Sequence, residues 1–166
     1  NMLKKILITG ANGYIGNCLF HILKNEFNVI GIDKEKSNNK KVFQCNILNK
    51  RKFNSIIKRE KPEVIVHLAA QSLVDETINT EKYYTNNNNA TEALLEIMKN
   101  NDVKKIIFSS TASVYQQSSN PLKENSNLKA LSTYAKTKLI CEKKIQKEKK
   151  LKFIILRFFN VCSALD

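Results

Sequence analysis

The sequence of 166 residues contains no tryptophan, only two prolines and only four glycines. Acidic side chains are also few, with 15 against 28 lysines and arginines, which gives a formal net charge of +13 at pH 7. The scarcity of proline and glycine excludes collagen-like and linker-type chains, and a hydrophobic content of 42% is ordinary for a globular protein. The length predicts a single domain that spans residues 2–166.

Long hydrophobic runs are missing as well. No apolar segment approaches the ~20 residues that a membrane-spanning helix requires, so we expect no membrane partner. The apolar residues near the start are interrupted by Gly10, Asn12 and Gly13, a pattern unlike that of a secretory signal peptide. A cytoplasmic location is therefore expected.

The cysteines lie far apart and form no Cys-x-x-Cys pair. Because the sequence has only two histidines, this spacing argues against a zinc site and against a disulfide framework. We predict no bound metal, and we expect reduced, mostly buried thiols. The four thiols are Cys18, Cys45, Cys141 and Cys162.

The positive charge raises the question of nucleic-acid binding, but its distribution argues against that function. Lysines are scattered through every segment among many asparagines, and the densest run, Lys143–Lys150, is interleaved with Gln146 and Glu148. Such a run is typical of the solvated face of a helix. We expect no nucleic-acid partner, whereas the positive field favours small phosphate-rich ligands.

Three of the four glycines recur at every third residue, at Gly10, Gly13 and Gly16. They follow the apolar run Ile6–Ile8, which is typical of a buried parallel strand, and they precede apolar residues at helical spacing. Glycines permit a tight turn and a close approach to a diphosphate, which the N–H groups at a helix start bind. With Asp33 at the end of the next predicted strand, the pattern indicates a dinucleotide site.

Strands and helices alternate along the whole chain, which predicts a Rossmann-like α/β fold with a doubly wound parallel sheet. The predicted strands after the first are Asn28–Asp33, Val42–Cys45, Val64–Leu68, Lys105–Phe108 and Lys152–Phe158. Helices are predicted around Phe53–Ile57, over Asn79–Asn100, and from Ser132 or Thr133 onward. Apolar residues of this last helix are Leu139, Ile140 and Ile145. The carboxyl ends of parallel strands meet at one edge, where ligands bind.

Tyr134 and Lys138 are four residues apart and therefore lie on one face of the last helix. A tyrosine has an unperturbed pKa near ~10, but a neighbouring ammonium group and a cationic nicotinamide ring stabilise the phenolate and lower that pKa. We therefore expect Tyr134 to accept a proton from an alcohol or sugar hydroxyl while a hydride leaves the same carbon. Thr111, at another strand end, is expected to orient the substrate oxygen or relay its proton.

Two further features allow more than one interpretation. The small pair Ala69–Ala70 after a predicted strand permits either close approach of a cofactor or plain packing. The asparagines of Asn86–Asn89 weaken a predicted helix, because asparagine is a middling helix former. A ligand contact explains their presence, and so does the asparagine-rich composition.

Five segments resemble the extended short-chain dehydrogenase/reductases and, among them, the UDP-glucose 4-epimerases: Thr9–Gly16, His67–Val74, Phe108–Tyr115, Tyr134–Lys138 and Leu156–Val161. The resemblance implies NAD as cofactor and a UDP-hexose as substrate. In the implied reaction, hydride leaves C4 of the sugar, and the 4-keto intermediate rotates and takes it back on its other face. The resemblance is compatible with a homodimer. It also implies a further substrate-binding portion beyond the chain given, because such epimerases are about twice as long.

The resemblance also implies residue roles. Tyr134 is the expected general base, Lys138 binds the nicotinamide ribose, and Thr111 supplies the catalytic hydroxyl. Asp33 is expected to hold the adenosine ribose and to favour NAD over NADP, since a carboxylate repels a 2′-phosphate. Expected substrate contacts are Thr111, Tyr134 and Asn160. Expected cofactor contacts are Gly10, Gly13, Tyr14, Ile15, Gly16, Asp33, Asn46, Ile47, Leu68, Ala69, Ala70, Asn86, Ser109, Tyr134 and Lys138.

The chain departs from the family pattern at several positions. The family usually has Asp at Asn46, Gly at Gln116, often Tyr at Phe158, and Ala-Gly at 162–163. Related dehydratases usually carry an acidic pair after the strand-end hydroxyl, and Ala112–Ser113 at that place favours an epimerase. The alternatives are an NAD-binding module without turnover, or another nucleotide-sugar epimerase or dehydratase, such as one acting on UDP-uronic acids.

Overall fold

The computed structural model describes residues 4–71 and 79–162. Six parallel strands form one sheet in the order β3-β2-β1-β4-β5-β6, with helices on both faces, which confirms the predicted Rossmann-like architecture. The elements are β1 (Lys5–Thr9), α1 (Tyr14–Leu23), β2 (Asn28–Asp33), β3 (Val42–Gln44), α2 (Lys50–Glu60), β4 (Val64–His67), α3 (Thr80–Tyr83), α4 (Ala90–Asn100), β5 (Lys105–Thr111), α5 (Thr133–Lys147) and β6 (Lys152–Phe158).

Each face of the sheet carries an apolar cluster. On the first face α2, α4 and α5 cover the strands, with Phe53, Ile65 and Leu94 fully buried. On the second face α1 inserts Phe20 against strand residues such as Ile8. Full burial of each such side chain contributes about 1.5–3 kcal/mol, so the two clusters hold the ends of β1, β2 and β4 in place.

The second face is open over β6, the strand at one edge of the sheet. Ile154 is 55% exposed and Leu156 is 38% exposed, although both are apolar. Ile107 of β5, the register partner of Ile154, is half-buried and packs beside the cluster that α1 covers. Within the described residues, therefore, three helices cover one face and a single helix covers the other.

Most predicted elements coincide with the observed ones, including β2 and β6 residue for residue. Strand β5 ends at Thr111, the residue predicted to stand at a strand end. The helix predicted over Asn79–Asn100 is interrupted by a π-helical segment, Tyr84–Asn89, between α3 and α4. This π segment contains the asparagine run, and π-helical turns often mark functional sites. Helix α5 ends at Lys147, before the end of the lysine-rich run.

The buried side of α5 differs from the apolar face that the sequence predicts. Leu139 and Ile140 are only half-buried, whereas two charged residues, Lys138 and Glu142, are buried. A hydrophobic pattern cannot identify such a face, because buried charges depend on partners from other elements. The buried residues of α5 are Ala135, Thr137, Lys138, Cys141, Glu142 and Ile145.

Two sequence-based expectations concern single features of the described residues. Cys18, Cys45 and Cys141 are buried and Cys162 is exposed, which confirms that the thiols are mostly buried. Over residues 4–71 and 79–162, no helix has both the length and the apolar character needed to cross a membrane.

Candidate active site

The carboxyl ends of the strands open into a cavity of about 660 Å³. This volume lies within the ordinary range of small-molecule and cofactor sites. Every residue predicted to contact cofactor or substrate lines this cavity. These residues are Gly10, Gly13, Tyr14, Ile15, Gly16, Asp33, Asn46, Ile47, Leu68, Ala69, Ala70, Asn86, Ser109, Thr111, Tyr134, Lys138 and Asn160. The roles assigned to them individually stay predictions.

The glycine turn between β1 and α1 has a physical requirement for glycine. Gly10 has a φ of 71°, and a Cβ there would lie 2.9 Å from the Ala69 backbone nitrogen. A Cβ on Gly16 would lie 2.1 Å from the Gly10 carbonyl oxygen. Gly13 caps α1 without a side-chain hydrogen bond, so this helix end is suited to an anion. Both interpretations of Ala69, packing and close approach of a cofactor, agree with the structure, because this residue packs against Gly10 and also lines the cavity.

Asp33 ends β2 with its carboxylate held between two loops. The Asn12 backbone N–H donates to Oδ2 and the Glu35 N–H donates to Oδ1, each at 3.0 Å. The Asn12 side chain closes the same turn by donating to the Glu35 carbonyl at 3.2 Å. Each carboxylate oxygen retains a lone pair that can accept a hydroxyl, so the site fits the ribose of a dinucleotide.

A buried network that the sequence analysis missed fixes the ends of β1 and β4. His67 Nδ1 lies 2.8 Å from Thr9 Oγ1, and Nε2 lies 3.2 Å from Thr91 Oγ1. Burial, together with the charge of Lys138, lowers the pKa of His67 to about 3. The imidazole is therefore neutral, and its hydrogen-bonding role is structural. Thr9 Oγ1 also accepts the Leu68 and Ala69 N–H groups, each at 3.1 Å, which places both residues at the cavity.

The π segment divides its asparagines between the cavity and the protein interior. Asn86 is half-buried and lines the cavity. Asn87 is 2% exposed; its Nδ2 donates to Thr137 Oγ1 at 2.9 Å, and its Oδ1 accepts the Gln71 N–H at 2.8 Å. The asparagine run thus has a structural reason in addition to composition, because it links this segment to α5 beside Tyr134.

Lys138 is 2% exposed and donates from Nζ to the Ser109 carbonyl at 2.7 Å. Burial lowers the pKa of Lys138 to about 8, so the side chain is mostly charged at pH 7. Its Nζ lies 5.9 Å from the centre of the Tyr134 ring. Burial raises the pKa of Tyr134, opposite to the direction expected from the four-residue spacing. The reason is that the ammonium group is directed to a backbone carbonyl, while the partly buried phenol loses contact with water.

Thr111 ends β5 at the cavity, 8% exposed. Its Oγ1 accepts the Ser113 N–H at 3.2 Å and so caps the short 3₁₀ turn Ala112–Val114, which leaves the hydroxyl proton available to another acceptor. Among the described residues that line the cavity, the acidic ones are Asp33 and Glu35, both at the carboxyl end of β2. The cavity wall at Thr111 is therefore not acidic.

A second buried group that the sequence analysis missed lies behind this end of the cavity. Glu142 on α5 is 1% exposed and accepts hydrogen bonds from Ser110 Oγ and from Arg157. Arg157 Nη2 lies 2.8 Å from Glu142 Oε2, so the pair is bidentate. The four-residue spacing from Lys138 to Glu142 is the one sequence signal for this group, but pairs of opposite charge at this spacing usually lie on the exposed surface of a helix.

The sequence matches the NAD dependent epimerase/dehydratase family over residues 6–166. The chain belongs to this family. Membership confirms the family resemblance that the motifs indicate, and NAD, the cofactor that this resemblance implies, is the cofactor of this family.

Similar proteins within this family include curated sequences and solved structures. A UDP-glucose 4-epimerase of Streptococcus mutans is 35% identical over 175 residues, which cover 96% of this chain and 52% of that protein. The UDP-Glc/GlcNAc 4-epimerase of Campylobacter jejuni has a TM-score of 0.85 at 32% identity, covering 94% of this chain and 53% of that one. The UDP-glucose 4-epimerase of Brucella ovis in complex with NAD has a TM-score of 0.88 at 25% identity, covering 95% and 52%. The chain spans about half the length of these relatives.

Proposed function

We propose that this chain acts as an NAD-dependent epimerase that interconverts UDP-glucose and UDP-galactose at C4 through a 4-keto intermediate. The observation that carries the proposal is the cavity, which brings the glycine turn and Asp33 together with Thr111, Tyr134 and Lys138 at one edge of the sheet. Membership of an NAD-dependent epimerase/dehydratase family and similarity to UDP-glucose 4-epimerases support it.

NAD would be held along the carboxyl ends of the strands. The glycine turn and the start of α1 would hold the diphosphate, Asp33 the adenosine ribose, and Lys138 the nicotinamide ribose. When bound, NAD would supply a reversible acceptor for the hydride at C4 of the sugar and would not be consumed.

The proton step belongs to residues of this chain. Tyr134 would accept the proton of the C4 hydroxyl and later return it, while Thr111 would donate its free hydroxyl proton to the same sugar oxygen. The positive charge of Lys138 would favour the phenolate of Tyr134, against the burial that raises the pKa of this tyrosine in the structure. Asn160, exposed at the cavity after β6, would contact the phosphates of the UDP-hexose.

The cavity wall favours epimerisation over dehydration. Expelling a hydroxyl requires an acid near the reacting carbon. The residues that follow Thr111 in the chain are Ala112 and Ser113, and neither is an acid. Other nucleotide sugars, such as UDP-uronic acids, remain the alternative within this reaction class. A homodimer and the absence of a nucleic-acid partner stay predictions.

The proposal is tested by incubating the purified chain with NAD and UDP-galactose and measuring UDP-glucose. Tyr134→Phe is expected to lower turnover by about 10²-fold or more, because it removes the proton acceptor, and to leave NAD affinity within about twofold. Tyr84→Phe, on the partly exposed part of the π segment, is the matched control and should leave both unchanged.

Three results would contradict the proposal in different ways. NAD binding without conversion would identify a binding module without turnover. Conversion of a UDP-uronic acid in preference to UDP-galactose would replace the substrate. Failure to bind NAD would remove the basis of the whole assignment.

A further inference from the structure

Helix α5 carries two buried charges of opposite sign, one turn apart. Lys138 is 2% exposed and Glu142 is 1% exposed. They bind consecutive residues of β5, since Lys138 Nζ donates to the Ser109 carbonyl at 2.7 Å and Ser110 Oγ donates to Glu142. A carboxylate is rarely buried so completely unless it is paired, because desolvation disfavours the charge.

Arg157 of β6 supplies that pairing. Its Nε lies 3.0 Å from Glu142 Oε1 and its Nη2 lies 2.8 Å from Oε2. The guanidinium is itself held by the Tyr115 ring at 4.8 Å and by the Glu124 carbonyl at 3.2 Å. Glu142 therefore joins α5 to β5, to β6 and, through Arg157, to the loop that precedes α5.

These contacts lie directly behind the reactive end of the cavity. Thr111 follows Ser110 in the chain, and Asn160 lies three residues after Arg157. Both residues line the cavity, and both strand ends are tied to the same carboxylate. A shift of Glu142 would consequently displace the groups proposed to contact the substrate oxygen and the phosphates.

We propose that Glu142 is a positioning residue, which holds the ends of β5 and β6 against α5 through Ser110 and Arg157, next to the Ser109 carbonyl that binds Lys138. Its consequence for turnover rests on the proposed function. Its effect on the charge of Lys138 does not, because that effect belongs to the folded chain alone.

The groups around Lys138 make the direction of this effect definite. His67 on β4 is neutral, because burial lowers its pKa, and burial raises the pKa of Cys141 on α5, so this thiol is uncharged at pH 7. Tyr134 on α5 is also uncharged, because burial raises its pKa. Burial lowers the pKa of Lys138, whereas Cys141 and, after it, Glu142 act in the opposite direction and raise that pKa. Lys144 of α5 and Glu92 of α4 act on Cys141, while Arg157 of β6, with Tyr115 beside it, pairs with Glu142.

The test is the titration of Lys138 in the purified chain, followed by NMR of ¹³Cε-labelled lysine. The signal is assigned by its loss in Lys138→Arg. We expect Glu142→Gln to move the midpoint of Lys138 to lower pH by about one unit, because it removes the facing anion and leaves Arg157 unpaired. Glu148→Gln, at the exposed end of α5, makes the same change of charge away from the site and should leave the midpoint unchanged.

A second variant covers the case in which unpaired Arg157 prevents folding. The double variant Glu142→Gln with Arg157→Gln keeps polar groups at both positions without a charge. We expect it to move the Lys138 midpoint in the same direction by a smaller amount, with circular dichroism reporting the fold. A folded variant of either kind with an unchanged midpoint would overturn the inference.

The outcome stays separable from the proposed function. If the chain binds NAD and turns over UDP-galactose, Glu142→Gln should also move the pH profile of kcat, which a merely structural residue would not do. Failure of NAD binding or turnover in the native chain would overturn the proposed function while the Lys138 titration still decides the role of Glu142.

Discussion

The two halves of the sheet build their parts of the cavity in different ways. In the half formed by β1, β2 and β3, the cavity is made by backbone geometry, with a turn that only glycine can adopt at Gly10 and Gly16. In the half formed by β4, β5 and β6, it is made by buried polar and charged side chains from several elements, among them His67, Lys138 and Glu142.

The two halves also differ in how completely helices cover their strands. Strand β2 is buried over its four central residues and has helices on both faces. Strand β6 is comparably apolar, yet Ile154 and Leu156 are exposed on the face that α1 does not reach. Within the described residues, the strand β2 of the first half is therefore covered on both faces, whereas the second half is held by buried charges and leaves an apolar face of β6 open.

The strongest test of the first half is Gly16→Ala. A Cβ 2.1 Å from the Gly10 carbonyl forces a shift of backbone, so we expect a loss of about 3 kcal/mol or more in the free energy of unfolding. Asn17→Ala, at the exposed neighbouring position, should change it by less than about 0.5 kcal/mol. Chemical denaturation measures both. Equal stability of the two variants would contradict a turn built by close backbone approach.

In the second half, the buried His67 predicts a pH dependence of stability. Its pKa falls from 6.5 to about 3 on folding, so the stability it contributes is present above about pH 6.5 and is lost as the pH falls toward 3. The slope from this one group approaches about 1.4 kcal/mol per pH unit.

His67→Gln removes this titration and should flatten the decline of unfolding free energy between pH 6 and 4, measured by urea denaturation at each pH. His21→Gln, on the exposed side of α1, is the control and should keep the native slope. If the unfolding free energies of the native protein and of His67→Gln fell in parallel with pH, the imidazole of His67 would not be neutral in the folded state.

Asp33→Asn tests the cofactor preference of the first half. The amide keeps one acceptor but loses the charge, so we expect NAD affinity to fall about tenfold and the preference over NADP to shrink, since the repulsion of a 2′-phosphate is removed. Calorimetric titration with both nucleotides measures this. Asp102→Asn, just before β5 at the amino ends of the strands, is the control and should change neither affinity. If Asp33→Asn weakened the binding of NAD and of NADP equally, the role assigned to Asp33 would be contradicted.

The smallest expected effect concerns the open face of β6. Ile154 is 55% exposed, so Ile154→Ala should cost less than about 1 kcal/mol of unfolding free energy. Ile106→Ala, 1% exposed on β5, should cost about 2–5 kcal/mol. If Ile154→Ala costs as much as Ile106→Ala, the face is covered in solution and the contrast between the two halves disappears.

The features predicted correctly from sequence are those with a local signal. The limits of β2 and β6 follow from short apolar runs, and the glycine turn with Asp33 follows from residue spacing. The residues predicted for the site line one cavity because parallel strands bring their carboxyl ends to the same edge.

The features that were missed depend on contacts between distant segments. Low helix propensity marks the asparagine run, but no local signal predicts the π-helical geometry or the hydrogen bond between Asn87 and Thr137. The predicted fall in the pKa of Tyr134 was wrong for this structure, because spacing along α5 does not reveal that Lys138 is directed to the Ser109 carbonyl.

The sequence by itself determined the alternation of strands and helices, the glycine turn and the order of the candidate residues, because these depend on backbone sterics and on the periodicity of apolar side chains. Only the tertiary structure decided which charges are buried, which partners they have and which face of the sheet stays open. The free energy of a buried charge depends on groups far away in the chain, and the pairing of Glu142 with Arg157 and Ser110 exists only once α5, β5 and β6 have packed together.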